Sequence, residues 1–381
     1  MSKCYMAYHG VTIDPQGYVS MCCVDDGTAN EWHDKRFYDI VKIDDVPDLG
    51  QWFADTYPNK VWNQYDNVSN CYPCLKCYNP DYKAISTTVK DIYDRNVSIG
   101  NVLWTQDESN PKIKYLELTS SNICNQMCVM CSGRHSSKWL EYDEEFGHRR
   151  NRGLYRLSDE SIEKIKKVVP TLDECYIKGG EPLSDQKNIE FLEHVAEVNP
   201  NCKISLTTNF QGLINRHIDI FKKVRSEIFV SVDGIDEVFN WIRGGDFKRV
   251  VNNMERYYDE TGNKVEILVT VSIYNFFSLE EIVEYFTDKE YVNYINCHNV
   301  VAWPVWSSPQ ILPADIFENQ MVKHMKLSVD YPRTGWQNFF QELDNNNTNE
   351  KKLEQFQLYT NKMNLIRGFD IRDHVPELNQ L

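Results

Sequence analysis

The 381-residue chain has no run of about 18 apolar residues, so nothing in it reads as a membrane-spanning helix. It has no surplus of positive charge: 41 Lys and Arg stand against 56 Asp and Glu, a formal net charge of −15. Binding along a phosphate backbone rests on clustered Lys and Arg, so this balance argues against a nucleic-acid partner. The run His148-Arg149-Arg150-Asn151-Arg152 is a local exception and is expected to be a solvated loop. The segment Met1-Ser2-Lys3-Cys4-Tyr5 lacks the apolar stretch of a secretory signal, and no internal repeat stands out. A cytoplasmic location is therefore expected. Hydrophobic residues at 41% and aromatics at 13% suffice for one large domain or two modest ones.

Cysteine is not scarce. Twelve are present, and most sit in tight groups, which in a chain of this length reads as metal or cluster ligation rather than a disulfide framework. The most informative group is Cys124-Asn125-Gln126-Met127-Cys128-Val129-Met130-Cys131, a Cys-x3-Cys-x2-Cys spacing. Iron–sulfur clusters are held by thiolates, usually four. Three from one loop can hold three corners of a 4Fe–4S cube and leave the fourth iron open to another ligand. A zinc knuckle is the alternative, but structural zinc usually asks for four ligands.

This spacing resembles the signature of the radical S-adenosylmethionine (SAM) superfamily. The resemblance implies that Cys124, Cys128 and Cys131 ligate a 4Fe–4S cluster whose open iron chelates SAM. It implies reductive cleavage of SAM to a 5′-deoxyadenosyl radical, which abstracts hydrogen from a substrate. The cofactor carries that chemistry, and the protein supplies position and shielding. Met130 stands where the family commonly has an aromatic against adenine, and a thioether can pack on a ring face.

Downstream, short β-rich runs alternate with amphipathic ones, which predicts parallel strands joined by crossover helices. Strands are expected over residues 113–119, 174–178, 203–208, 228–233, 265–273 and 294–300. Ser158 is expected to cap a helix carrying Ile162, Ile165 and Val169 on one face, and Asp246 another carrying Phe247, Val250, Val251 and Met254. Six such units make a partial (β/α)6 TIM barrel, the core fold of the resembled superfamily. In parallel barrels the chemistry lies at the C-terminal strand ends.

The remaining motifs fall at those ends. Gly179-Gly180-Glu181-Pro182 follows the second strand and resembles the family motif that receives the SAM amino group. Thr208-Asn209 closes the third and resembles the family's Thr-Asn pair. Ser231-Val232-Asp233-Gly234 closes the fourth; Ser231 and Asp233 would share a face, for the SAM ribose or carboxylate. Arg243-Gly244-Gly245 resembles the Arg-Gly element whose guanidinium pairs with the SAM carboxylate, a task suited to a planar fork. Ser272 and Asn275 are further SAM-contact candidates.

A second cysteine group lies in residues 1–100. Cys4 is followed by twelve residues, Gly17, four residues and Cys22, and later by Cys71-x2-Cys74-x2-Cys77. This is similar to the opening of the auxiliary-cluster domains called SPASM and Twitch, placed before the barrel rather than after it. The resemblance implies that Cys4, Cys22, Cys74 and Cys77 hold an auxiliary 4Fe–4S cluster, with Cys71 the competing ligand and Cys23 spare. Four thiolates would also suit a zinc ribbon. Thr12 to Ser20 reads as a β-hairpin around Asp14-Pro15-Gln16-Gly17.

Cys175, Cys202 and Cys297 are expected in the core. If Cys297 points into the barrel it can return a hydrogen atom to a substrate radical; the opposite facing offers His298 as an acid or base. Trp303 and Trp306 are candidates for substrate contact or for core. The expected organisation is an auxiliary cluster domain at 1–100, a radical SAM partial barrel at 110–305 and a mostly helical extension at 306–381. The expected substrate is a peptide or protein, undergoing epimerisation or C–C or C–S crosslinking. A small metabolite such as a sugar or nucleoside is the alternative, and a non-catalytic Fe–S or zinc binding module the rival. A flavodoxin or ferredoxin reductant is implied by the family.

Overall fold

The structure is a computed structural model. It describes residues 9–20, 41–56, 110–147, 153–301, 303–331, 334–336, 339–340, 343 and 350–381, apart from the side chain of His298. Cys4, Cys22, Cys23, Cys71, Cys74, Cys77 and the basic run at 148–152 lie outside the described residues. The chain divides into two compact units, one of Met1–Asn122, Leu154–Leu206 and Lys223–Ser226, the other of Ile123–Gly153, Thr207–Lys222 and Glu227–Leu381.

In the first unit, β1 (Gly10–Ile13) and β2 (Tyr18–Ser20) form the antiparallel hairpin, with Thr12 opposite Ser20. Its turn is held by Asp14, whose Oδ1 accepts from the amides of Gln16 and Tyr18, both at 2.9 Å. Gly17 takes φ +84°, a conformation that side chains resist. β2 also pairs with β3 (Val41–Lys42). A pairing with no local sequence signal runs on the other side: β1 lies parallel to β4 (Tyr115–Leu118), with Ile13 opposite Leu118. β5 (Glu174–Ile177) and β6 (Lys203–Thr208) continue in parallel, so the strand order is β6-β5-β4-β1-β2-β3. All four residues of β4 are buried, as expected of a central parallel strand.

Helices α1 (Leu49–Thr56), α2 (Asp159–Lys166) and α3 (Gln186–Val198) belong to this unit. Ser158 caps α2, its Oγ accepting from the Ser161 amide at 3.0 Å. α2 buries Ile162 and Ile165, and α3 buries Ile189, Phe191, Leu192 and Val195. Those spacings of three and four put the apolar side chains on one helix face.

The second unit contains α4 (Asn215–Phe221), β7 (Ser226–Ser231), α5 (Asp236–Arg243), α6 (Phe247–Thr261), β8 (Val265–Val271) and α7 (Leu279–Thr287). It ends with β9 (Val292–Val300), α8 (Ala314–Asp330), β10 (Thr334–Gly335) and α9 (Glu350–Arg367). β7, β8, β9 and β10 pair in parallel in that order. β8 alternates: Val265, Ile267, Val269 and Val271 are buried and the residues between them half-buried. Asp246 caps α6 through the Arg249 amide, as the sequence predicts.

Only the strand at 203–208 keeps both expected ends; the others shift by one or two residues, and the end of β7 has a side-chain cause. β7 was expected over 228–233 but spans Ser226–Ser231. The Thr270 amide, which would extend the ladder, is taken at 2.7 Å by the Asp233 carboxylate. Asp233 therefore leaves the strand and works as a side chain at its end. The chain as a whole is mixed α/β with parallel sheet. Among the described residues no helix is long and apolar enough to cross a membrane.

Candidate active site

The cysteine loop lies in the second unit and has no regular secondary structure between Cys124 and Cys131, so its backbone polar groups must be satisfied from outside. They are. The Cys124 amide donates to Ser137 Oγ at 3.1 Å, and Ser137 Oγ donates back to the Cys124 carbonyl at 3.3 Å. Ser136 Oγ donates to the Gln126 carbonyl at 2.6 Å, and Trp139 Nε1 to the Cys128 carbonyl at 2.9 Å. The Val129 amide donates to the Ile242 carbonyl, and the Cys131 amide to the Cys128 carbonyl. Trp139 is fully buried against Phe146, ring centroids 5.2 Å apart, so the clamp on Cys128 is rigid.

Cys128 is buried, and Cys124 and Cys131 are half-buried. Burial pushes the Cys128 and Cys131 thiols up; at Cys131 the charges of Cys128 and Cys124 add to it, which places the three sulfurs within electrostatic reach of one another. Cys128 Sγ faces the Gln126 Oε1 and the Arg243 carbonyl.

Arg243 ends α5, where Gly244 takes the left-handed conformation at φ +66° and closes the helix. Its Nη1 donates to Asp233 Oδ2 at 2.5 Å; Asp233 is fully buried and Arg243 half-buried. Desolvation works against the guanidinium charge, but the negative charges of a Cys128 thiolate and of Asp233 outweigh it and hold Arg243 protonated. Asn275 spends both ends of its amide on this corner. Its Nδ2 donates to the Asp233 and Thr270 carbonyls at 3.0 and 3.1 Å, and its Oδ1 accepts from the Ser272 amide at 2.7 Å.

Asn209 Nδ2 donates to Asn125 Oδ1 at 2.7 Å, so the end of β6 is tied to the cysteine loop. Thr208 Oγ1 accepts from the Phe210 amide, and Phe210 itself sits at φ +58°. That conformation costs about 1–3 kcal/mol in a side-chain-bearing residue. It is held by Asn253, whose Nδ2 donates to the Phe210 carbonyl at 2.6 Å. Ser231 is buried at the last position of β7, and Met130 is half-buried in the loop. Cys297 is buried on β9; desolvation, then the Asp233 charge, pushes its thiol up.

Gly179, Gly180, Glu181 and Pro182 lie in the first unit, just past β5. Gly179 and Gly180 take φ +81° and +53°. A Cβ on Gly179 would meet Thr119 Cγ2 at 2.1 Å, so glycine is required there by both conformation and space. Glu181 is buried, and its Oε1 accepts from the Leu183 amide at 3.0 Å. Beside this turn the fully buried Asp185 accepts from Ser121 Oγ at 2.6 Å and from Arg156 Nη2 at 2.6 Å. Asp185 and Arg156 were not singled out in the sequence. Asp185 carried a signal as the N-cap of α3; Arg156 carried none.

The donor set of the cysteine loop fits an iron–sulfur cluster. Three thiols lie together without a fourth among the described residues. The buried Gln126 Nε2 and Arg243 Nε find no hydrogen-bond partner among the described residues, and both are donors beside the thiols. Cluster sulfides and thiolates are acceptors, and bound iron supplies the positive charge that buried thiolates require. Among the described residues no three His, Cys, Asp or Glu side chains close on a single ion. A cube seats each thiolate on its own iron, so it needs no such convergence.

Residues 118–286 match the model of the radical SAM superfamily. Among curated proteins, the chain is 26% identical over 180 residues to a GTP 3′,8-cyclase of Vibrio parahaemolyticus, covering 44% of this chain and 48% of the relative. A GTP 3′,8-cyclase of Hydrogenovibrio crunogenus is 27% identical over 194 residues, covering 48% and 54%. The chain thus spans about half the length of the curated relatives it matches. Among solved structures, anSMEcpe with bound AdoMet aligns with a TM-score of 0.40 at 20% identity, over 51% of this chain and 52% of that one. Streptococcus suis SuiB bound to S-adenosylmethionine aligns with a TM-score of 0.42 at 13% identity, over 72% and 60%. The family match falls on the segment that carries the cysteine loop and the Arg243–Asp233 pair, and over that segment the chain is similar to the radical SAM superfamily.

Proposed function

We propose that Cys124, Cys128 and Cys131 ligate a 4Fe–4S cluster and that the chain uses it to cleave SAM reductively. When bound and reduced, the cluster supplies the electron that splits SAM into methionine and a 5′-deoxyadenosyl radical, which takes a hydrogen atom from the substrate. The observation that carries this is the loop itself: three thiols whose backbone is clamped by Ser136, Ser137 and Trp139, next to a half-buried, charged Arg243. Arg243 and Asp233 are assigned to SAM's carboxylate and ribose, with Ser231 beside them. Thr208 and Asn209 hold the end of β6 for SAM contact. Ser272 and Asn275 are further SAM-contact residues, and Asn275 also holds the Asp233 carbonyl. By the resemblance, Gly179, Gly180, Glu181 and Pro182 receive the SAM amino group. Met130 packs on adenine, and Cys4, Cys22, Cys74 and Cys77 hold an auxiliary 4Fe–4S cluster, with Cys71 the competing ligand.

The substrate is assigned to the peptide or protein class on the resemblance of the N-terminal cysteine pattern to SPASM and Twitch domains. Epimerisation and C–C or C–S crosslinking are the candidate outcomes. Cys297 is the proposed hydrogen donor for the first. A second reading is favoured by the curated relatives, both GTP 3′,8-cyclases: a small metabolite of nucleotide type. A flavodoxin or ferredoxin is the proposed reductant.

Anaerobic iron and sulfide content with Mössbauer spectra tests the cluster assignment. About eight irons should fall to about four in a Cys124→Ala/Cys128→Ala/Cys131→Ala variant, with the remaining cluster intact. Iron unchanged by that variant would remove the assignment. Incubation in deuterated solvent separates the substrate readings: deuterium or a mass shift in a peptide supports the first, and turnover of a nucleotide alone supports the second.

A further inference from the structure

The C-terminal helix α9 reaches the cysteine loop from more than two hundred residues away. It carries charged and polar residues around most of its surface, but Phe356, Tyr359, Thr360 and Met363 are buried. Tyr359 Oη donates to the Val129 carbonyl at 2.7 Å. Arg367, the last residue of α9, donates through Nη2 to the Met127 carbonyl and through Nε to the Trp241 carbonyl at 2.7 Å. Met127 and Val129 are the two neighbours of Cys128. Each therefore has its carbonyl held by α9, while Trp139 holds the carbonyl of Cys128 itself.

The surroundings show that this seat is built for a guanidinium. A Cβ on Gly244 would lie 2.7 Å from Arg367 Nη1, so the glycine after Arg243 makes the room. Trp241 Nε1 donates to Asn364 Oδ1 at 2.8 Å, fastening the same turn of α9 to α5. Tyr359 is packed by Phe146 and Trp306, with centroids at 5.3 and 5.9 Å, and Tyr274 Oη meets Thr360 Oγ1 at 3.1 Å. Arg367 is half-buried, and withdrawing a cation from water is costly unless a negative group lies nearby. The Cys128 sulfur, once a thiolate, is a group of the loop whose charge acts on Arg367.

We infer that Arg367 and Tyr359 are positioning residues for Cys128. They fix the loop on both sides of that cysteine, and Arg367 sets a half-buried positive charge on the Met127 carbonyl, within electrostatic reach of the Cys128 sulfur. This rests on Cys128 being a cluster ligand. A positive charge near the cluster favours the more negative, reduced form, so Arg367 raises its reduction potential. Arg367→Met removes the charge and the fork, Arg367→Lys keeps the charge and loses the fork, and Tyr359→Phe removes one hydroxyl from an otherwise intact packing site.

The test compares wild type with these three full-length variants, each as cluster-free protein and after anaerobic reconstitution. Amide hydrogen exchange in residues 125–132 of the cluster-free protein should rise in Arg367→Met and Tyr359→Phe. Loss of one buried hydrogen bond corresponds to roughly fivefold. In reconstituted protein, iron should be lost to a chelator faster in both. The midpoint potential should move to lower values in Arg367→Met and stay at the wild-type value in Arg367→Lys and Tyr359→Phe. Wild-type exchange and iron retention in Tyr359→Phe together with a wild-type potential in Arg367→Met would overturn the inference, and so would an unchanged loop in Tyr359→Phe if Arg367→Met does not fold. If wild type binds no iron at these cysteines, the cluster assignment fails, and the exchange measurement still decides whether α9 holds the loop.

Discussion

At the scale of single residues, the decisive feature is how few groups the cysteine loop leaves to chance. Asp233 is fully buried and its pair with the half-buried Arg243 shares a corner with Cys128, so removing one partner leaves an uncompensated charge. Asp233→Asn should lower stability by about 3–5 kcal/mol, read as a shift in the denaturant midpoint. Gly179 is a second such point. Gly179→Ala meets both a positive φ and Thr119, and should cost about 2 kcal/mol or more. Adding Thr119→Ala should return the part due to overlap but not the part due to φ. Equal losses in the single and double variants would show that the contact does not matter.

Histidine 324 gives a pH dependence. It is buried among Phe276, Phe339 and Trp336, with Nε2 facing the Phe276 carbonyl at 2.9 Å, which as an acceptor selects the Nε2–H tautomer. Burial, the largest cause, and the Lys323 charge push its pKa down to about 4, against a weaker upward pull from that hydrogen bond. The folded pKa is depressed, so the neutral ring's contribution is complete above the ordinary value of 6.5 and is lost as pH falls toward about 4. The loss amounts to about 3 kcal/mol. His324→Gln should flatten the stability profile between those pH values. A profile parallel to wild type would contradict the assignment.

At the scale of elements, what was legible in the sequence was what rests on local chemistry. Ser158 and Asp246 cap their helices because a short oxygen-bearing side chain before an apolar periodicity satisfies free amides. Asp246→Ala should cost about 1 kcal/mol, measurable by thermal unfolding. The hairpin at Asp14–Gly17 was legible for the same reason. The parallel pairing of β1 with β4 was not, since it joins residues a hundred positions apart and leaves no periodic trace. The early end of β7 was not legible either: it depends on a side chain, Asp233, outcompeting a backbone carbonyl for the Thr270 amide.

At the scale of the whole molecule, the segment that matches the family model was legible because it carries the spaced thiols. Their support was not. Trp139, Tyr359 and Arg367 carry no motif, and two of them reach the loop from the far end of the chain. The most direct test is 5′-deoxyadenosine formation after anaerobic reconstitution, with SAM and a strong reductant, in wild type and in Cys124→Ala/Cys128→Ala/Cys131→Ala. Formation by wild type and none by the variant is the expected result. Wild-type protein that holds its full iron complement and yields no 5′-deoxyadenosine would contradict the reading of this loop as a SAM-cleaving centre.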